Sequence, residues 1–232
     1  MSETASVVMR YSPWPDVADA QGCDEMRFRL LYDGYLPSGD SKGSASVKHQ
    51  IRKVLHKQLI ELWKNHPFLK NFYTGQTPRR WVAGEEPSEE RVSVMYKMAD
   101  KFERCGYRFL PLVRNTSGVA VSLDILFLRR GEAGRLVSSG GGDIDNRIKT
   151  LFDALKMPQH CQEVVGPPDA DEDPFLCLLE DDSLITEFKV TTDRLLTPLE
   201  EGGYENNVRL IIHVKTLVVR QDTDTWDLFK FD

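Results

Sequence analysis

What this chain lacks narrows its class before any motif is read. No apolar run approaches the ~18 residues that a membrane span requires, so no membrane partner is expected. The opening residues, MSETASVVMRYSPWPDVADAQG, carry no positive segment followed by an apolar one, the mark of a secretory signal. Cysteine is scarce: Cys23, Cys105, Cys161 and Cys177 are the only four in 232 residues, with no C-x-x-C pair. That spacing argues against a disulfide scaffold or zinc ribbon and implies reduced thiols in a cytoplasmic protein. His160-Cys161 with Cys177 fits no familiar zinc spacing either. No Gly-rich loop of P-loop spacing occurs, which disfavours a phosphotransferase, and there is no internal repeat or low-complexity tract.

What is present is an ordinary globular balance, 41% hydrophobic and 28% charged, in a chain long enough to bury a core without disulfides. The net charge of -6 leans away from nucleic acid, yet local patches set contacts more than global charge does. Much of the acid is concentrated: Asp169 to Asp182 holds seven carboxylates and no Lys or Arg.

Residues 1–25 read as a flexible arm, and Met26–Leu36 as a first strand. From Ser44 or Ser46 to about His66, Val47, Ile51, Val54, Leu55, Leu59, Leu62 and Trp63 recur at helical spacing, and Pro67 ends the run. Lys48, Arg52, Lys53 and Lys57, with His49 and His56, occupy its other faces: solvated surface, or DNA contact. Residues 68–104 form a candidate insertion, irregular at first and then helical over Ser88–Arg104 up to Gly106. Tyr107–Arg114 and Val119–Arg130 read as strands around an Asn115–Gly118 turn, and Gly131–Gly142 as a Gly/Ser-rich loop. A helix is expected over Asp145–Lys156, then a surface insertion at 158–178 rich in Pro and acid. Strands follow at Leu184–Thr192 and Asn207–Val219, with a tail at 220–232. The expectation is one α+β domain over 26–219, a mixed or antiparallel sheet with helices packed on it. Trp63, Trp81 and Trp226 read as packing residues.

The chemically informative stretch is Asp143-Ile144-Asp145-Asn146-Arg147-Ile148-Lys149, continuing to Asp153-Ala154-Leu155. Asp143 and Asp145 are two residues apart where a loop enters a helix, so both carboxylates can converge as hard oxygen ligands suited to Mg²⁺ or Mn²⁺. Asp145, Lys149 and Asp153 share one helical face at i, i+4 and i+8, while Ile148, Leu151, Phe152 and Leu155 face the core. Asp182, from Glu180-Asp181-Asp182 ahead of a strand, is a candidate third ligand. Taken alone, Asp-x-Asp before a helix is equally a cap that complements the macrodipole.

The pattern D-x-D-N-x-x-K-x-x-x-D-A-L, read here from Asp143, Asp145, Asn146, Lys149, Asp153, Ala154 and Leu155, with Asp181-Asp182 downstream, resembles the RusA family of crossover-junction endodeoxyribonucleases. The resemblance covers residues 26–66 and 107–219. It implies a RusA-like fold and a homodimer that cuts opposed strands of a Holliday junction with Mg²⁺ in DNA recombination and repair. It also implies metal ligation by Asp143, Asp145 and Asp182, with Lys149 as the essential lysine. Asn146, Asp153 and Asp181 are then supporting residues around the ligands. Arg129, Arg130, Arg135 and Arg147 lie close in sequence to this site and are candidate phosphate contacts. The rival readings are a nuclease for flaps or forks, and a non-catalytic DNA-binding or assembly protein of the same fold.

Overall fold

The computed structural model describes residues 25–37, 44–78, 91–130, 143–196 and 207–219. The N-terminal arm, the 131–142 loop with Arg135, Trp81, and the C-terminal tail with Trp226 lie outside the described residues.

Alternating strands build the main sheet. It runs β1 (Arg27–Tyr35), β9 (Asn207–Val218), β6 (Val119–Arg129), β8 (Ile185–Arg194), in that order across the sheet. β9 is antiparallel to both neighbours, and β8 runs parallel to β6. One face carries Leu30, Leu123, Ile125, Phe127, Leu210, Ile212 and Val214, all buried under helices. The opposite face carries cross-strand polar pairs such as Arg209–Asp33 and Arg29–His213. This is the alternation expected of a sheet covered on one side. The free edge of β1 is closed locally by Gln58, whose amide accepts from the Leu31 N–H and donates to the Leu31 carbonyl.

Two long helices cover the sheet. α1 spans Ser44–Asn65 and begins and ends close to expectation. Two short helices follow, α2 (Lys70–Thr74) and α3 (Val94–Asp100), on either side of a small hairpin, β2 (Gln76–Pro78) with β3 (Arg91–Ser93). The expected 88–104 helix is therefore shorter. Its C-terminal part is instead β4 (Glu103–Arg104), paired with β5 (Tyr107–Val113) across Cys105 and Gly106. Both turn residues have positive φ, 56° and 79°, as a two-residue hairpin of matching twist requires, so Gly106 serves a hairpin rather than a helix end. The second long helix, α4 (Asp143–Leu155), starts two residues before the expected Asp145.

Three expectations are corrected. Residues 158–178 are only in part a surface segment: 159–174 are mostly exposed, whereas Phe175–Leu179 is β7, buried along its whole length and parallel to β5 in a second sheet ordered β4-β5-β7. A continuous apolar run of five reads equally as a buried parallel strand, but the acid around it suggested solvent.

The polar face of α1 is not a solvated surface. Arg52 is 1% exposed, His49 2% and His56 0%, because the segment before β7 lies across them. Lys53 pairs with Asp169 and Glu172 at 2.8 Å each, and those carboxylates hold its pKa well above the ordinary lysine value. Only Lys57 of that set is fully exposed. The basic helix and the acidic segment thus neutralise each other within the fold.

The cysteines are not all reduced. Cys105, in the β4–β5 turn, is bonded to Cys161, in a 3-10 turn at Cys161–Glu163, across 56 residues of sequence. Cys177 is a free, buried thiol whose pKa burial pushes up to about 12.

Candidate functional site

α4 packs its Ile148, Leu151, Ala154 and Leu155 into the main core, which turns Asp145 and Lys149 outward beside the edge strand β8. The α4 wall of the resulting cavity is Ile144, Asp145, Ile148, Lys149 and Phe152. The facing wall is Phe188, Val190 and Thr192, alternate residues of β8 that project to the helix-covered side. The cavity encloses about 630 Å³. Asp145 and Lys149 are both exposed, so this helical wall presents a carboxylate and an ammonium to solvent. The first turn of α4 also contains Asp143 in its backbone; its side chain lies outside the described residues.

The downstream acidic pair lies elsewhere. Asp181 caps the 3-10 turn Asp182–Leu184, its carboxylate accepting from the Ser183 N–H, which holds its pKa below the usual range. Asp182 accepts from Lys156 at 2.9 Å. Lys156 also pairs with Asp153 at 3.3 Å, and Asp153 with Lys48 of α1 at 2.7 Å. Burial opposes charge on Asp153 and on Lys156, yet their partners outweigh it, lowering the pKa of Asp153 and raising that of Lys156. Lys156 is eleven positions beyond Asp145, which is roughly 16 Å along a helix axis at ~1.5 Å per residue. The structure therefore brings Asp145 and Lys149 together and leaves Asp182 and Asp153 in a separate ion-paired chain at the other end of α4. Among the described residues no three carboxylate, imidazole or thiol groups converge to hold a metal ion. Of the expected set, Asp145 and Asp182 stand at opposite ends of α4, and the Asp143 side chain lies outside the described residues.

The remaining expected residues have structural placements. Asn146 is exposed, and its carbonyl accepts from the Thr150 hydroxyl. Arg147 donates to the Leu36 carbonyl, tying α4 to the end of β1. Arg129 and Arg130 are half-buried at the end of β6, where the Arg129 carbonyl accepts from the Leu195 N–H.

Sequence reasoning missed Phe188 and Thr192, which complete the cavity, and Lys156, which occupies Asp182. The signal for the first two was the alternation Phe188-x-Val190-x-Thr192; nothing in the sequence assigns Lys156 to Asp182. No helix among the described residues is long and apolar enough to cross a membrane. Compared with family models, with curated proteins and with solved structures, the chain matches none. The family resemblance accordingly rests on the motif residues themselves.

Proposed function

We propose that this chain is a metal-dependent endodeoxyribonuclease acting on branched DNA, a four-way junction foremost, as a homodimer with one site per subunit. The observation that carries the reading is that two motif residues, Asp145 and Lys149, line one cavity. Lys149 supplies positive charge to a scissile phosphate and to the oxygen that leaves it. The first turn of α4 adds backbone N–H groups that have no acceptor within the helix and favour phosphate oxygens. Asp145, one turn before Lys149, would hold a divalent cation beside that phosphate, since a bare carboxylate repels phosphate.

Mg²⁺ or Mn²⁺ is the expected cofactor and Asp143, Asp145 and Asp182 the expected ligands; with Asp182 held by Lys156, Asp143 and Asp145 are the pair proposed to bind it. Isothermal titration with each ion tests this: saturable binding in the wild type, abolished by Asp145→Asn and kept by Asp182→Asn. Equal loss in Asp182→Asn would show that this carboxylate leaves Lys156 to join Asp145.

The occupation of Asp182 by Lys156 favours a second reading, a DNA-binding or assembly protein that retains the fold without cutting. It expects no saturable ion binding that depends on Asp145.

A further inference from the structure

The α4 wall of the cavity carries two adjacent helical stripes. Asp145 and Lys149 form the polar one, Ile144, Ile148 and Phe152 the apolar one, and Phe188 of β8 lies against Phe152. Phe188 is the outermost of these and is 55% exposed, although it belongs to the helix-covered side of the sheet. Its only described ring partner is Phe152, edge to face with centroids 5.2 Å apart and planes at 82°. That contact fixes the orientation of a large ring that otherwise gains little from burial. Lys149 and Phe152 are three residues apart on α4, so the ammonium and the aromatic pair are neighbours on one helical face.

A ligand matching this surface has a flat apolar part and an anionic part separated by a short linker. A nucleotide has that form. We propose that the cavity is a subsite for one unstacked nucleotide, its base against Phe188 and its phosphate at Lys149. The inference rests on the phosphate reading of Lys149 and adds a specificity-determining residue to it. A base within continuous duplex has both faces covered by its neighbours, so the subsite selects single-stranded or branch-point nucleotides. The volume of about 630 Å³ lies within the ordinary range for small-ligand pockets.

The test uses the full chain in EDTA, with a single-stranded oligonucleotide carrying one 2-aminopurine and a matched duplex. The wild type binds the single strand and quenches the 2-aminopurine by stacking. Phe188→Ala weakens that binding about 5- to 100-fold, in line with loss of one base–aromatic stack, and loses the quench. Phe188→Trp retains both, and duplex binding is the same in all three. A melting curve checks the fold of the alanine variant; Phe188→Leu, which keeps apolar bulk and removes the ring, must show the same loss. Wild-type affinity and quench in Phe188→Leu would overturn the proposal, as would failure of the wild type to bind the single strand. The two readings fail separately: an inert Phe188 beside loss of cutting in Asp145→Asn refutes only the subsite, whereas a Phe188-dependent quench beside undiminished cutting in Asp145→Asn refutes only the nuclease reading.

Discussion

Replacing Arg52 with alanine is expected to be among the most damaging single changes on α1. The guanidinium donates to the Lys156 carbonyl at 3.2 Å, the Glu163 carbonyl at 2.9 Å, the Asp153 carbonyl at 2.6 Å and the Glu163 carboxylate at 2.8 Å. It thereby binds α1 to the C-terminal carbonyls of α4 and to the 3-10 turn held by the disulfide. Alanine removes the donor of three carbonyls and of one Glu163 carboxylate oxygen. The other Glu163 oxygen keeps the Gln159 and His160 N–H groups, and the Glu163 side chain is 21% exposed, which puts the cost toward the lower end of the range for a buried pair. Breaking a buried ion pair from one side costs about 3–5 kcal/mol, and orphaned buried acceptors carry penalties of the same order. Against a total stability of roughly 5–15 kcal/mol, this is a large share. For a chain of this size the Tm should fall by roughly 6–20 °C. Urea denaturation followed by circular dichroism, with the disulfide intact, measures the loss directly. Arg52→Lys should recover only a fraction, because one ammonium cannot satisfy a fork of four acceptors. A cost below about 1 kcal/mol, the value for a solvated surface arginine, would refute the conclusion that this face of α1 is internal.

Three further outcomes follow from the same packing. His56 accepts the Leu176 N–H at Nδ1 and meets the Asp171 carbonyl through Nε2, an arrangement that requires a neutral ring, and burial holds the pKa of His56 and His49 below the ordinary value. The unfolded state then binds more protons below about pH 6.5, so stability is complete above that pH and declines beneath it. Urea midpoints at pH 7.5 and 5.5 should show the decline, with a flatter profile in His56→Gln; identical midpoints in the wild type would contradict it. Reducing Cys105–Cys161 should lower stability by about 2–4 kcal/mol through the loop it closes, and Cys105→Ser should match the reduced wild type; a reductant without effect on the urea midpoint would contradict the bond. Lys156→Met should destabilise modestly by leaving Asp153 and Asp182 without their shared partner, and Asp182→Asn in that background should recover part of the loss. Simple additivity in this double-mutant cycle would refute the pairing.

Much of the architecture was legible because its signals are local. The α1 stripe of Ile51, Leu55, Leu59 and Trp63 has a single period, and β9 alternates without interruption, so both elements appear close to where the pattern puts them. β7 was missed because a strand buried on both faces has no alternation, and Phe175–Leu179 is bracketed by acid that suggests solvent. The polar face of α1 was misread for the converse reason. Burial of Arg52 and His56 depends on partners more than a hundred residues away, Glu163 and Asp171 among them. The disulfide likewise depends on a hairpin turn and a 3-10 turn meeting in space, which cysteine spacing alone does not reveal. At the site, the helical spacing of Asp145 and Lys149 gave their common face correctly. The expected convergence of Asp182 depended on where β8 begins, and β8 begins at the far end of α4 beside Lys156.

The most direct test of the proposed site is cleavage of a labelled four-way junction in Mg²⁺, beside linear duplex, flap and fork, with wild type, Asp145→Asn and Lys149→Ala. The expected result is paired symmetrical nicks in the junction by the wild type, little cutting of duplex, and loss of cutting in both variants, with their fold intact by circular dichroism. Undiminished cutting by Asp145→Asn, or no cutting of any branched substrate in Mg²⁺ or Mn²⁺, would contradict it.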